Sequence, residues 1–285
     1  MEKLFLGRET ATTDFARARF AVIPVPYERT TSYQKGTAAG PQAILDASPY
    51  LEFYDEELQS EPFRAGVFTL PPLGFSGEFE EDFNRIRDRV SETLSENKFP
   101  IVLGGEHSIT SAVVAAFKQK YPDLTVLQLD AHSDLRDSYE GTRYSHACVM
   151  RRIFEQDVPF VQVGIRAQDA SEAQFARNHD IPVFYAHQLH DRGFPQEILD
   201  RLNGHVFITF DLDFFDPAVM PATGTPEPGG FFWPETIRFL RTVFQKKKVV
   251  GADIVELSPI NGLVYPDFTA AKLAYKMIAL KEYSS

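Results

Sequence analysis

Short apolar runs alternate with amphipathic segments along this chain of 285 residues. Eight of the runs are rich in Val, Ile, Leu and Phe and end at polar or turn-forming residues, as buried strands do. The predicted strands are Phe20–Val25, Val67–Thr69, Pro100–Leu103, Thr125–Leu129, Phe160–Gly164, Pro182–Tyr185, Val206–Phe210 and Val249–Val255. Between Glu81 and Asn97 the apolar residues recur at spacings of three and four, which predicts an amphipathic helix. The further predicted helices are Ser108–Lys120, Ser145–Glu155, Pro234–Phe244 and Thr269–Leu280.

The order of these elements predicts the fold class. Strands that are apolar throughout and separated by helices are typical of a parallel sheet covered on both faces. No repeat, low-complexity tract or Gly/Ser-rich linker divides the sequence. We therefore expect one doubly wound α/β domain, residues 1–285, with about eight strands. In such a sheet, ligands bind beyond the carboxyl ends of the strands.

Four of the predicted strands run directly into polar clusters. The apolar IVL precedes GGEHS at residues 104–108, and VLQL precedes DAHSD at residues 130–134. FITF precedes DLD at residues 211–213, and ADIV precedes Glu256. Because parallel strands present their carboxyl ends at one edge, all four clusters are expected to open on the same edge of the sheet.

The residue types in these clusters suit metal binding, although each cluster alone has a simpler explanation. Asp130, His132 and Asp134 could converge on one volume, because side chains two apart in extended backbone point the same way. An Asp that caps the following helix explains this triplet equally well. Taken alone, the two aspartates of DLD are more typical of a turn than of a metal site. The histidine of GGEHS, taken alone, is more typical of a structural residue in a loop. Together, so many like charges at one edge are costly unless cations compensate them, which favours a metal site.

The number and chemistry of the candidate ligands indicate two metal ions. A catalytic zinc usually has three protein ligands and one open position, fewer than this sequence offers. Two divalent ions about 3.5–4 Å apart, with bridging carboxylates, are a common arrangement in hydrolases. The set is rich in carboxylates and has no thiolate, which favours Mn²⁺ over zinc. The candidate ligands are His107, Asp130, His132, Asp134, Asp211 and Asp213.

Composition narrows the function without identifying it. The net charge of −11 disfavours nucleic acid and anionic membranes and weakly favours a cationic ligand, although many cytosolic proteins are acidic for solubility alone. The single cysteine, Cys148, excludes an intrachain disulfide framework. No apolar run is long enough to span a bilayer, and charged residues interrupt the amino-terminal segment where a secretory signal would be apolar. We expect a cytoplasmic protein.

Several motifs resemble, in order and spacing, the signatures of the arginase family: GGEHS, DAHSD, FDLDFFDP, PATGTPEPGG and DIVELSP. The segment PYERTTSYQKGTAAGPQAI resembles the amino-terminal part of the agmatinase branch, so the resemblance covers nearly the whole chain. It implies a three-layer α/β/α fold with a parallel eight-stranded sheet, and two Mn²⁺ ions bridged by hydroxide. One ion would be held by His107, Asp130, Asp134 and Asp211. The other would be held by Asp130, His132, Asp211 and Asp213, so that Asp130 and Asp211 bridge.

The resemblance also implies roles for individual residues. Asp134 would accept a hydrogen bond from the hydroxide and later pass its proton to the departing amine. Glu256 would pair with the substrate guanidinium through charge-assisted hydrogen bonds, supported by Thr225, whereas alone it would be an exposed strand-end charge. His146 matches a histidine that carries protons between the site and solvent. A surface histidine at a helix start is the alternative for that residue.

The segment after DAHSD bears on the substrate. Arginases bind the substrate α-carboxylate through an Asn- and hydroxyl-rich loop, which residues 135–144 do not resemble. Asp137 and Glu140 in that segment, and Glu227 in PEPGG, would repel a carboxylate and attract a distal ammonium. We therefore expect cleavage of agmatine to putrescine and urea. Arg136 and Arg143 could instead bind a carboxylate, which leaves guanidinobutyrate, arginine or a formimino amino acid as alternative substrates.

Other functions and assemblies also follow from the resemblance. Some members of the family prefer aminopropylagmatine, which the sequence does not separate from agmatine. A catalytically silent paralogue with a binding or assembly role is the non-enzymatic alternative, and the complete ligand set argues against it. Zinc deacetylases share the general sheet architecture but need one metal.

Because family members assemble as trimers or hexamers, we expect a homo-oligomer that binds a small cationic guanidino compound.

Overall fold

In the computed structural model, which describes residues 3–10, 12 and 14–284, eight parallel strands form one sheet. Its strands are β1 (Phe20–Val25), β2 (Val67–Thr69), β3 (Phe99–Gly104), β4 (Leu124–Leu129), β5 (Phe160–Ile165), β6 (Val183–Tyr185), β7 (His205–Asp211) and β8 (Lys248–Val255). They lie in the order β2-β1-β3-β8-β7-β4-β5-β6. All eight predicted strands are confirmed, and no bound differs by more than one residue.

Helices cover both faces of this sheet, which confirms the three-layer α/β/α prediction. The helices among the described residues are α1 (Gly40–Ala47), α2 (Phe79–Ser95), α3 (Thr110–Lys120), α4 (Val149–Phe154), α5 (Ala170–Asn178), α6 (Ala186–Arg192), α7 (Gln196–Arg201), α8 (Trp233–Lys246) and α9 (Tyr265–Tyr283). Helices α1 and α6 to α9 pack on one face, and α2 to α5 pack on the other. The five predicted helices are present, whereas the shorter α1, α5, α6 and α7 are additional. Within the described ranges, no helix is both long and apolar enough to cross a membrane.

The strands are buried on both faces because successive side chains point into different layers. In β3, Ile101 and Leu103 belong to the core beneath α1 and α9, whereas Val102 belongs to the core beneath α2 and α3. Phe207 and Ile208 of β7 alternate in the same way. A strand with two buried faces reads as a continuous apolar run, which is why the sequence pattern located it.

The strand order brings the motif-bearing strands together. Strands β3 and β4 are consecutive in the chain, but β8 and β7 lie between them in the sheet. The four central strands are therefore the same four whose carboxyl ends carry the polar clusters. A doubly wound sheet has its binding crevice where the order of strands reverses, so the fold places these clusters around one crevice.

A buried ion pair ties the last helix to the loop before β2. Lys276 of α9 donates to Asp55 across 2.6 Å, and the two side chains are only 3% and 2% exposed. The other carboxylate oxygen of Asp55 accepts the backbone N–H groups of Glu57 and Leu58. Removing the lysine would leave a buried carboxylate without its cation, which is strongly destabilising.

We predict that Lys276→Ala lowers the free energy of unfolding by about 3–5 kcal/mol. The matched control is Lys272→Ala on the same helix, where a half-exposed side chain is expected to contribute within about 0.5 kcal/mol. Urea denaturation followed by circular dichroism measures both variants. Equal effects of the two substitutions would contradict a special role for the Lys276–Asp55 pair.

Candidate metal centre and active site

The turn after β3 is shaped by a glycine that no larger residue can replace without movement. Gly105 donates its backbone N–H to Val25 of β1 across 2.9 Å and accepts from the backbone of Glu256 across 2.8 Å. A Cβ atom at Gly105 would lie 2.0 Å from the carbonyl oxygen of Tyr27. This close approach joins the ends of β1, β3 and β8 and directs His107 into the crevice.

His107 faces three carboxylates at the centre of the crevice. Its Nδ1 atom lies 3.2 Å from Asp130, 3.1 Å from Asp134 and 3.3 Å from Asp211, measured to Oδ2 in each case. The imidazole is buried, and within the described ranges Nδ1 has no hydrogen bond of good geometry. A nitrogen lone pair and three carboxylate oxygens that converge in this way fit a divalent cation. His107, Asp130 and Asp211 lie close enough together to share one ion.

A second group of ligands adjoins the first through Asp130. His132 Nδ1 lies 2.8 Å from Asp213 Oδ2 and 3.8 Å from Asp130 Oδ1. These three residues form the other set able to share an ion. Asp130 therefore belongs to both groups, with one oxygen toward each histidine, as a bridging ligand requires. The structure brings Asp211 into the first group, where its Oδ1 also accepts the backbone N–H of Asp213 across 2.9 Å.

Two site residues have left-handed backbone conformations. The backbone φ angle is 53° at Asp134 and 68° at Glu256. Residues other than glycine seldom adopt such positive values. Such strain persists only where surrounding contacts enforce it, and it is concentrated at functional sites. Glu256 is held because its N–H donates to Gly105 and its Oε1 accepts the backbone N–H of His107 across 2.6 Å. Its carboxylate is thereby fixed beside the ligand cluster.

The protonation of the cluster shows its need for cations. Burial, followed by neighbouring carboxylates, raises the pKa of Asp130 to about 7, and the same causes raise the pKa of Asp211 well above its usual range. Burial alone would lower the pKa of His107 and His132, but the facing carboxylates raise both pKa values well above the usual range. Burial raises the pKa of Glu256 to about 8. Without metal, protons would reduce the negative charge of this cluster, so divalent ions would displace protons as they bind.

A cavity of about 160 Å³ opens onto these ligands. It brings Glu256, Thr225 and His146 together with the ligand residues, although these residues are far apart in the sequence. The backbone N–H of His146 donates to Thr30 Oγ1 across 3.0 Å, and its imidazole is half-exposed at the cavity wall. The lining residues are Ser32, His107, His132, Asp134, Arg136, Tyr139, His146, Ala147, Asp211, Asp213, Thr225 and Glu256.

The structure separates the charged residues that were candidates for the substrate tail. Asp137 is exposed and pairs with Arg152 across 3.0 Å, and Arg143 pairs with Glu155. Neither lines the cavity, because each is committed to an ion pair elsewhere. Glu140 is exposed on a turn and also lies outside the lining.

Two of the candidate tail residues remain close to the site. Arg136 lines the cavity, with its guanidinium 5.0 Å from the ring centroid of Tyr139. The half-exposed Glu227 lies with its Oε1 3.9 Å from His132 Nε2. Glu227 is therefore the acid from this set that is placed beside the ligands, and Arg136 is the cation.

Polar side chains inside the strands support the ligands, and sequence reasoning missed them. Gln128 Nε2 donates to Asp130 Oδ2 across 2.7 Å, and Thr209 Oγ1 lies 2.8 Å from His107 Nε2. The prediction that the strands are apolar throughout is therefore wrong at Gln128 in β4 and at Thr209 in β7. A polar residue within a buried strand needs a partner, and that signal was present in the sequence. Buried polar residues inside the strands that lie behind the ligands include Gln128, Gln162, Thr209 and Asp253.

Arg166 is a further organising residue that the motifs did not reveal. Its guanidinium donates to the carbonyl oxygens of Asp213 at 2.6 Å, Glu227 at 2.8 Å and Pro228 at 3.1 Å. It therefore joins a ligand-bearing turn to the PEPGG loop. Glu172 supports the neighbouring turn by accepting the backbone N–H of Leu135. The D-x-x-E capping box at the start of α5 is a local sequence signal for Glu172.

Comparison with known proteins identifies the family to which this chain is related. The model of the arginase family matches residues 18–279. The chain is 43% identical to the N(1)-aminopropylagmatine ureohydrolase of Synechocystis sp., over 97% of this chain and 93% of that protein. It is 41% identical to the N(1)-aminopropylagmatine ureohydrolase of Thermus thermophilus, over 94% and 92% of the two chains.

A solved structure agrees with the sequence relatives. The agmatine ureohydrolase of Thermoplasma volcanium superposes with a TM-score of 0.89 at 32% identity, over 99% of this chain and 95% of that one. Sequence, fold and the geometry of the crevice thus lead to the same group of enzymes. The chain belongs to the arginase family, in its agmatinase branch, and is a ureohydrolase.

Proposed function

We propose that this ureohydrolase cleaves N1-aminopropylagmatine to urea and the corresponding triamine, with two Mn²⁺ ions in the cluster around Asp130. One observation supports this substrate above the others. Relatives that carry its name are 43% and 41% identical to this chain, whereas the agmatine ureohydrolase is 32% identical. Agmatine, the substrate expected from the sequence motifs, becomes the second candidate. The two compounds share the guanidinium and differ in the length and charge of the tail.

The residues of the crevice suit the attack on a guanidinium. Because this group is a delocalised cation, it is a poor electrophile and needs both a strong nucleophile and an anionic partner. Two divalent cations, when bound, would supply the nucleophile by lowering the pKa of a water molecule. Glu256 is buried and has a raised pKa, so an incoming guanidinium would stabilise its ionised form through charge-assisted hydrogen bonds.

Proton transfer needs two further groups. Asp134 lies 3.1 Å from His107 within the cluster and lines the cavity, so it can accept a proton there and pass it to the departing amine. The amine must leave protonated, and the proton balance with solvent must then be restored. His146 is half-exposed on the same cavity wall and can exchange that proton with water.

The tail of the substrate selects among guanidino compounds. Asp137 and Arg143 are committed to ion pairs away from the cavity. Glu227 lies 3.9 Å from His132, and Arg136 lines the cavity while also lying 3.7 Å from Glu172, so these two residues would sense the charge of the tail. A carboxylate beside Glu227 would be repelled, whereas an ammonium would gain a charge-assisted hydrogen bond. N1-aminopropylagmatine carries two tail nitrogens that can be protonated, and agmatine carries one. The longer substrate therefore offers one more cation that could reach Glu227 beside His132.

Urea release in the presence of Mn²⁺ from four substrates tests the proposal: N1-aminopropylagmatine, agmatine, guanidinobutyrate and arginine. A hydrogen bond to a charged group contributes about 1.5–3 kcal/mol. We therefore expect kcat/KM for N1-aminopropylagmatine to exceed that for agmatine by about 10-fold or more, and that for either carboxylate by about 100-fold. Equal or faster hydrolysis of agmatine would transfer the assignment to agmatinase. A preferred carboxylate substrate would make Arg136 the tail contact instead.

The role of Glu227 has its own test. Glu227→Gln is expected to raise KM for N1-aminopropylagmatine about 10-fold, with a smaller change for agmatine, because the longer tail loses a charged partner. The matched control, Glu140→Gln, neutralises an exposed acid outside the cavity and should leave both substrates unaffected. Bound metal is counted in each variant. An equal rise in KM for both substrates, together with loss of bound metal, would show that Glu227 supports His132 and does not contact the substrate tail.

A further inference from the structure

We infer that Asp253 is a positioning residue that sets the direction of the hydrogen bonds behind His107, and so fixes which nitrogen His107 turns toward the first group of ligands. The inference rests on the metal centre of the proposed function and is independent of the substrate. Asp253 lies at the end of a chain of three side chains that begins at His107 and passes through Thr209 and Thr110.

The two nitrogens of His107 have different surroundings. Nδ1 faces three carboxylate oxygens at 3.1–3.3 Å, whereas Nε2 lies 2.8 Å from the hydroxyl of Thr209. A histidine that binds a cation through Nδ1 must be neutral, with its proton on Nε2. That proton has to be donated to Thr209 Oγ1, so the hydroxyl must act as the acceptor.

A threonine hydroxyl accepts reliably only when its own proton is directed elsewhere. The hydroxyl of Thr110 follows in the chain, with its Oγ1 atom 3.5 Å from that of Thr209. Thr110 in turn donates to Asp253 Oδ2 across 2.7 Å. An ionised carboxylate can only accept, so it orients every donor in the chain away from His107.

Burying the Asp253 carboxyl group costs desolvation free energy, which indicates that the group has a specific role. Its side chain has no solvent exposure, and within the described ranges Oδ1 has no hydrogen-bond partner of good geometry. Burial raises the pKa of Asp253 to about 6. Because Thr110 donates to Oδ2, the Asp253 carboxylate is the acceptor at the end of the chain. An apolar residue would fill the same position in the strand without this penalty.

The test is to measure Mn²⁺ binding to Asp253→Asn by equilibrium dialysis and metal analysis, without substrate. The amide can donate as well as accept, so the direction of the chain is no longer fixed. Loss of such an outer partner typically weakens metal binding 10- to 100-fold. We expect a loss of about that size for one ion per chain, and an unchanged affinity for the other ion, which is bound near His132.

Two controls separate positioning from general damage. Asp82→Asn changes another buried aspartate, which accepts the backbone N–H groups of Ser76 and Gly77 at the start of α2, and should leave both Mn²⁺ affinities intact. Thr209→Val should reproduce the loss seen in Asp253→Asn. Because the two residues act through one chain, the double variant should bind no more weakly than Thr209→Val alone.

Several outcomes would overturn the inference. An unchanged affinity in Asp253→Asn would do so, as would additive losses in the double variant. Equal weakening of both ions, in proportion to a fall in melting temperature that Asp82→Asn shares, would indicate a structural role only. If the wild-type chain bound no Mn²⁺, the metal part of the proposed function would fail together with this inference. Two ions in the wild type and an unaffected variant would overturn this inference alone.

Discussion

Asp130 is fully buried, and its two oxygens face His107 on one side and His132 on the other. It shares this volume with Asp134, Asp211 and Asp213, so several carboxylates compete for the same few ångströms. Charges of one sign cannot be gathered in a dry interior unless opposite charge joins them. Imidazolium groups can provide part of that charge, and divalent cations provide it more completely. This requirement for compensating charge governs the arrangement of the surrounding residues.

The sheet supplies the rigidity that such a cluster needs. The turns that carry the ligands and Glu256 follow four adjacent central strands, each hydrogen-bonded to its neighbours, so these side chains cannot move apart independently. Gly105 permits the ends of β1 and β3 to approach closely, and Asp134 and Glu256 are held in left-handed conformations. Behind the ligands, side chains such as Gln128 and Thr209 fix the orientation of individual ligand atoms. Two left-handed backbone conformations and several buried polar side chains thus occur at the ligand cluster.

The sequence predicted the strands well because burial on both faces leaves a local, continuous apolar signal, as in Val102 and its neighbours. It also predicted that the polar clusters would share an edge. The order of the strands was beyond its reach, since the insertion of β8 and β7 between β3 and β4 depends on contacts between distant segments. The same limit applies to the candidate tail residues. Asp137 lies three residues after the DAHSD motif, which suggested a place near the site. Its partner Arg152 lies in α4, and only the folded structure shows that the two residues pair.

Anomalous diffraction at the manganese absorption edge would locate the cations in the crevice. Crystals grown with Mn²⁺ should show two peaks about 3.5–4 Å apart. We expect one peak among His107, Asp130 and Asp211, and the other among Asp130, His132 and Asp213, with Asp130 contacting both. A single peak, or peaks that do not involve Asp130, would contradict the assignment of a shared two-metal centre to this crevice.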